Sequence, residues 1–230
     1  MGSEITIITR TYEKSVDFIS VLMESFLNQT IADKCEFLII DNDSPKEGTI
    51  AALKPFMSRI TLWQRDGIKD PMRKLNDGVS CSRSPFIMNC DHDDLLYPEC
   101  AEKLLRAFSK SPEASFSYCD YYDKYPDGSK TLISTDGISG VWNTVAGGML
   151  FRRDHILEAD CYDEALMFPE YDLLLKMFAL GMKGVHVPGE PLWEYARTPG
   201  SMSDGGYVTR AIDELKRKYG LTPPIRSYER

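Results

Sequence analysis

Three aspartates crowd into four positions at Asp91, Asp93 and Asp94, inside the stretch FIMNCDHDDLLYPE that runs from Phe86 to Glu99. The residues FIMN ahead of them read as a buried strand, so the carboxylates sit where an apolar run stops. Like charges this close repel, and burying them unpaired is costly. Water, a basic side chain or a metal ion must offset them. Carboxylate oxygens are natural ligands for Mn²⁺ or Mg²⁺, ions that keep part of their water and bind substrate phosphates. A cation here would neutralise the repulsion and hold a diphosphate. The same acids would also suit the first turn of a helix beginning near Pro98. Taken alone, Asp-x-Asp-Asp fits both readings. An EF-hand does not fit, because the ligand spacing fails after Asp94 and no glycine occupies the turn position. His92 fills the variable position and is expected to face solvent, with metal ligation as the alternative.

The elements that must carry this cluster follow from periodicity. ITIIT (5–9), EFLII (36–40), ITLW (60–63) and FIMN (86–89) are short apolar, β-rich runs of the kind that form buried strands. Between them, apolar residues at helical spacing predict helices over 16–27, 50–56 and 72–82. Strand–helix alternation of this kind predicts a mainly parallel, doubly wound α/β sheet, in which ligands bind beyond the carboxyl ends of the strands. Asp41, Asp43 and the Asp91 cluster all fall there. The second half is less regular. A helix is expected over 98–108, strands in ASFSYCDYY and KTLIS around a PDG turn, further strands in GGMLF and GVHV, and helices over 171–180 and 207–219. One continuous domain is expected, with a nucleotide-binding half over about 1–95, an acceptor-binding half with a smaller sheet over about 96–205, and a C-terminal helix and tail over 206–230.

Composition narrows the class. The 230 residues are 43% hydrophobic and 27% charged, as in ordinary globular proteins. A formal net charge of −8 argues against nucleic acid as a partner. None of the six cysteines forms a C-x-x-C pair, which argues against a zinc cluster and for reduced thiols in the cytosol. No signal peptide or transmembrane stretch is visible. MGSEIT matches the loose N-myristoylation pattern, but Ile5 and Thr6 already belong to the first strand. The locally basic ending ELKRKYGLTPPIRSYER is expected to be a solvated helix end, with peripheral docking on the inner face of a membrane as the alternative.

In order and spacing, the pieces resemble a family 2 glycosyltransferase of the GT-A fold. IITRTYEKS resembles the opening strand and loop, QT with EFLIIDNDS the first helix end and second strand, and KLNDGVSCSRSPFIMNCDHDD the approach to the D-x-D motif. The likeness runs from about Ile5 to Ser203. It implies a metal-dependent, inverting transfer of a sugar from a nucleotide donor, UDP-linked in the usual case, to a hydroxyl of a glycan or lipid-linked acceptor, as in polysaccharide biosynthesis. The cofactor it implies is Mn²⁺ or Mg²⁺.

The resemblance also suggests roles. Asp41 would accept the uracil N3–H, with Thr11 and Tyr12 beside the base; Asp43 would assist, although Asp43 and Ser44 also suit a helix cap. Lys74 stands where the family usually has an arginine, and would contact the nucleotide as a point charge. Asp91 would bind ribose and contribute to the metal, Asp93 would be the prime metal ligand, and Asp94 a supporting one. FPEYDLLLKM resembles the family's E-D-x-D-L segment, with Pro169 replacing the first acid. Glu170 then falls at the catalytic base and Asp172 at the second acid, and both also suit a helix N-terminus. Gly147 and Gly148 in TVAGGMLFRR would let the sugar approach the backbone, or else mark a strand bend. In LWEYARTPGSMS, Arg197 and Ser201 would meet the diphosphate. Two other functions compete. One is a non-catalytic nucleotide-sugar-binding protein of the same fold, which the Pro169–Glu170 departure keeps open. The other is a sugar nucleotidyltransferase, which the absence of a Gly-rich phosphate loop near the first strand disfavours.

Overall fold

The structure is a computed structural model that describes residues 2–42, 44–64, 71–135, 148–166, 169–198 and 206–220. At its centre β1 (Ile5–Thr11) pairs in parallel with β2 (Cys35–Asp41) on one side and β4 (Phe86–Asn89) on the other. β3 (Thr61–Gln64) extends β2, again in parallel. β6 (Phe116–Cys119), β9 (Leu150–Arg152) and β10 (Gly184–Val187) complete a seven-stranded sheet of order β10-β6-β9-β4-β1-β2-β3, in which β9 runs antiparallel to both neighbours. A second sheet has the order β5-β11-β7-β8, formed by β5 (Leu95–Leu96), β7 (Tyr121–Lys124), β8 (Lys130–Ile133) and β11 (Trp193–Ala196).

Side-chain alternation explains how the large sheet is covered. Ile5 and Ile7 of β1 and Phe37 and Ile39 of β2 face one way, into a core shared with Leu22, Met23 and Phe26 of α1 (Ile19–Leu27) and Leu104 and Phe108 of α4 (Cys100–Lys110). Ile8, Leu38 and Ile40 face the other way. They pack against α3 (Pro71–Cys81), α5 (Arg153–Glu158) and α6 (Pro169–Ala179) through Leu75, Ile156, Leu173 and Met177. Strands buried on both faces carry continuous apolar runs, which is why ITIIT and FLII read so clearly. α3 lies close to the sheet at Gly78, where a Cβ would stand 3.0 Å from the Cδ1 atoms of Ile8 and Ile40. α2 (Thr49–Leu53) and α7 (Gly206–Tyr219) complete the helices among the described residues.

The expected α/β architecture is present, and three details differ from expectation. ASFSYCDYY is not one strand: it breaks at Asp120 into β6 and β7, which belong to different sheets. Asp120 fixes the crossing, because its Oδ1 accepts hydrogen bonds from the backbone and hydroxyl of Thr135 and lies 3.0 Å from His186 Nε2. β5 and β11, not expected from the sequence, pair antiparallel with each other, and β11 also pairs in parallel with β7. α5 is a short helix whose six residues include charged ones, without the apolar period of the longer helices.

Candidate active site

The carboxyl ends of β1, β2 and β4 converge by register, since Thr11 lies opposite Asp41 and Ile8 opposite Asn89. Asp41 is fully buried. Its Oδ1 accepts from the hydroxyls of Thr11 (2.9 Å) and Ser44 (2.7 Å), and its Oδ2 from the Ser44 N–H (2.9 Å). Asp41 and Thr11 therefore tie the end of β1 to the loop after β2. Tyr12 follows with its ring 41% exposed, standing edge-on to His92 at 5.1 Å between centroids. Phe18 also stands edge-on to that imidazole, at 5.6 Å, so His92 belongs to an aromatic cluster and is not simply turned to solvent. Lys74 reaches in from α3, buried to 1% exposure, and donates to Asn42 Oδ1. Asp43, Gly147 and Ser201 lie outside the described residues.

The aspartate cluster proves divided. Among the described residues, no three His, Cys, Asp or Glu side chains gather closely enough to cage an ion. Each is drawn to a different partner. Asp91 Oδ1 accepts from Arg10 Nη2 at 2.6 Å. Asp93 Oδ2 accepts from the Thr198 hydroxyl at 3.3 Å. Asp94, buried, accepts from the Ala196 N–H at 3.0 Å through Oδ1. Asp94 Oδ2 is buried without a hydrogen-bond partner. Burial, and then the charges of Asp91 and Asp93, push the Asp94 carboxyl well above the ordinary range. Burial likewise raises Asp93, with His92 opposing it. An orphaned buried carboxylate oxygen beside a second raised acid fits a hard cation. The donors that suit one are Asp93 and Asp94, while Asp91 is held by Arg10.

The second sheet supplies the other wall. Arg197, just past β11, donates from Nη2 to Asp123 Oδ2 at 2.8 Å and lies over the Tyr195 ring at 4.8 Å. Its charge thus already faces a nearly buried acid and also lowers the neighbouring Asp94 carboxyl. Gly148 adopts φ +66°, and a Cβ there would stand 2.2 Å from Trp193 Nε1. The room left by its missing side chain is filled by Trp193, so packing alone accounts for the glycine.

Glu170 and Asp172 share the first turn of α6 and part company at once, because residues two apart on a helix point roughly 200° away from each other. Glu170 is half-buried. Burial raises its carboxyl; the charge of Arg10 opposes the rise and that of Asp91 adds to it. Asp172 is fully buried and turned toward α7, where it meets Lys218 Nζ at 2.6 Å, the Tyr219 hydroxyl, and Lys176 Nζ at 3.3 Å. The expected pair is therefore split: Glu170 falls within the electrostatic reach of Arg10 and Asp91, and Asp172 anchors a helix. Arg10 was not singled out from the sequence. Its signal there is a lone basic residue ending the buried run ITIIT, close to carboxyl clusters that need a counter-charge.

A mainly parallel α/β sheet with acids gathered beyond its strand ends, walled by a small second sheet, is the architecture of a GT-A nucleotide-sugar transferase. The model of glycosyl transferase family 2 matches residues 6–170, and the chain belongs to that family: it is a glycosyltransferase. An uncharacterized glycosyltransferase of Haemophilus influenzae is 25% identical over 232 residues, covering 95% of this chain and 78% of that protein. Among solved structures, S. aureus TarS 1-349 in complex with UDP-GlcNAc is similar with a TM-score of 0.68 and 17% identity over 88% of this chain. The mannosyltransferase PcManGT from Pyrobaculum calidifontis, in complex with GDP-Man and Mn²⁺, has a TM-score of 0.66 and 14% identity over 97% of this chain. This chain spans 61% of the TarS 1-349 chain and 67% of the PcManGT chain. No helix among the described residues is long and apolar enough to cross a membrane.

Proposed function

We propose that the protein transfers a sugar, with inversion, from a UDP-linked donor to a hydroxyl of a glycan or lipid-linked acceptor, using Glu170 as general base and a divalent cation at Asp93 and Asp94. The observation that carries this reading is Glu170 itself: a half-buried carboxyl at the start of α6, raised by desolvation while the charge of Arg10 favours its ionised form. A base of that kind takes a proton more readily than an exposed carboxylate does. In the transfer, Glu170 accepts the acceptor hydroxyl proton as the acceptor oxygen bonds to the anomeric carbon. The bond from that carbon to the diphosphate oxygen breaks, and its electron pair leaves with the nucleotide. The cation, Mn²⁺ or Mg²⁺, would supply charge neutralisation for that leaving group.

The chain's own residues orient the donor. Tyr12 offers an exposed ring to the base, and Asp41 offers an acceptor to the uracil N3–H once the Ser44 loop opens. Asp91, with 39% of its side chain exposed despite Arg10, would accept from a ribose hydroxyl. Lys74 and Arg197 would serve as cationic partners for phosphate, each exchanging a present contact, with Asn42 and Asp123, for it. UDP-GlcNAc in one similar structure and GDP-Man with Mn²⁺ in another support a nucleotide-sugar donor. We assign the work to the cytoplasm. The basic C-terminal segment would supply peripheral membrane contact, though Lys218 turns inward to Asp163 and Asp172.

The test is donor hydrolysis and transfer with Mn²⁺ or Mg²⁺ across a panel of nucleotide sugars. Glu170→Gln should cut turnover by about a hundredfold or more while donor binding persists. Asp93→Ala should abolish the metal dependence of nucleotide binding. Tight nucleotide binding without metal-dependent turnover of any donor would instead identify a non-catalytic binder.

A further inference from the structure

We propose that the protein carries a second saccharide subsite, separate from the catalytic cleft, in a cavity on the outer face of the small sheet. A neutral sugar ring of the glycan acceptor or product would dock there against Tyr97 and Tyr122. The proposal rests on the reading of the acceptor as a glycan. The cavity measures about 430 Å³ and is lined by Tyr97, Pro98, Tyr122, Pro191 and Leu192, together with three charged side chains. Small-molecule sites span roughly 300–1,000 Å³. Side chains alternate across a strand. In β7, Tyr121 packs on Trp193 in the core and Asp123 holds Arg197 at the cleft, so Tyr122 and Lys124 face the opposite way. Tyr122 lies beside Glu194 of β11, and Lys124 beside Lys130 of β8. The sheet itself thus separates this cavity from the cleft.

The walls are tied down by the chain's own contacts. The Tyr97 N–H donates to the Leu192 carbonyl at 2.8 Å, and the Leu192 N–H to the Asp120 carbonyl at 3.2 Å. The segment ahead of α4 is thereby fixed to the segment ahead of β11. The Tyr97 hydroxyl donates to Glu194 Oε1 at 2.7 Å. Glu194 is buried and also holds Lys130 and, at 3.3 Å, Lys124. The Lys130 ammonium lies 5.9 Å from the centroids of both tyrosine rings, so one cation sets the two rings relative to each other. The lining is mostly carbon. Aromatic carbon suits the C–H face of a pyranose, while the exposed Glu190 and the Glu99–Lys103 pair at 2.6 Å offer acceptors and donors to its hydroxyls. Lys103, Lys124 and Lys130 stand against Glu99, Glu190 and Glu194. That balance favours a neutral sugar over an anionic or cationic one. A small concave site also suits one sugar ring better than the broad surface of a protein partner.

The experiment is an NMR titration of protein carrying ¹³C-methyl leucine. The probes are maltose, cellobiose, lactose and N,N′-diacetylchitobiose, with glucuronic acid and glucosamine as charged counterparts. The Leu192 methyl signals are identified by their loss in Leu192→Met. At least one neutral disaccharide should shift them saturably, and the charged sugars should bind more weakly. Tyr122→Ala should weaken that affinity by about tenfold, and Tyr122→Phe, which keeps the ring, should retain most of it. No saturable shift at Leu192 with any neutral sugar overturns the subsite and leaves this face to a protein partner. Unchanged affinity in Tyr122→Ala, or tighter binding of a charged sugar, overturns it as well. Should Tyr122→Ala fail to fold, unchanged affinity in both Glu190→Ala and Lys103→Ala overturns it equally. In transfer assays Tyr122→Ala should raise KM for an oligosaccharide acceptor more than for a monosaccharide one; equal effects count against the proposal. A protein that transfers no sugar yet shows the Leu192 titration loses the transferase mechanism and keeps the subsite, while transfer without that titration does the reverse.

Discussion

At Gly148 the backbone stands in the left-handed region and the indole of Trp193 occupies the space where a side chain would begin. A residue placed there only to admit a sugar would tolerate alanine in the fold and lose substrate binding. The geometry here requires the opposite. Gly148→Ala should destabilise the protein by about 2–4 kcal/mol, from backbone strain and displacement of a buried indole, read as a lower urea midpoint at unchanged slope. A variant with wild-type stability and weakened donor binding would restore the sugar-pocket role. This position also shows what a sequence reveals at the scale of residues. The acids at 91–94 and at 170–172 were visible as candidates because their types and spacing are local facts. The burial of Asp94, the turning of Asp172 and the indole against Gly148 are facts about neighbours distant in the chain. Arg10 is illegible in the sequence for the same reason: its ion-pair partner Asp91 is 81 positions away.

Among elements, α6 and α7 have the most telling relation. Asp172 is wholly buried beneath Lys218 and Tyr219, the last residues of α7, and Lys218 bridges on to Asp163 at 2.7 Å. Breaking such a pair leaves a partly covered cation without its partner, so Asp172→Ala should cost about 2 kcal/mol or more. Tyr219→Phe, which removes one hydroxyl, should cost about 1 kcal/mol. Both should speed proteolysis within α7 and hydrogen exchange of its amides. Asp172→Asn should retain much of the turnover that Glu170→Gln loses. If Asp172→Asn abolished turnover with α7 still protected, Asp172 would be the base. Elements were legible where one face or both faces carry a long apolar period: β1, β2, β4, α1, α3 and α6 stand within a few residues of where the pattern puts them. β5 has only two residues and β11 mixes polar with aromatic ones, and both are strands through pairing with distant segments, β5 with β11 and β11 also with β7. The division of ASFSYCDYY between two sheets depends on Asp120, whose hydrogen-bond partners Thr135 and His186 are distant in sequence.

For the whole molecule the governing fact is unbalanced acid. Net charge is −8, and in the cleft burial holds Asp93 and Asp94 above their ordinary range while Arg10 and Arg197 are already bound to Asp91 and Asp123. Raised carboxyls mean that the folded state keeps protons the unfolded chain would release. Without a cation, then, these two acids favour folding below the ordinary carboxylate range and lose that contribution as pH rises toward their folded values. A divalent ion reverses the balance, because it binds the ionised carboxylates and competes with the protons. Mn²⁺ together with UDP should therefore stabilise the wild type more at pH 8 than at pH 5. At about a hundred times Kd the gain is roughly 2.7 kcal/mol, which corresponds to a Tm rise of roughly 5–10 °C for a chain of this size. EDTA should cancel most of the rise. Asp94→Asn should melt higher than wild type in the metal-free protein near neutral pH, because it keeps an acceptor for the Ala196 N–H and removes the charge, and it should respond less to Mn²⁺. A wild type whose Tm is indifferent to Mn²⁺ and UDP at both pH values, or an Asp94→Asn variant with an undiminished Mn²⁺ response, would remove the cation from this cleft.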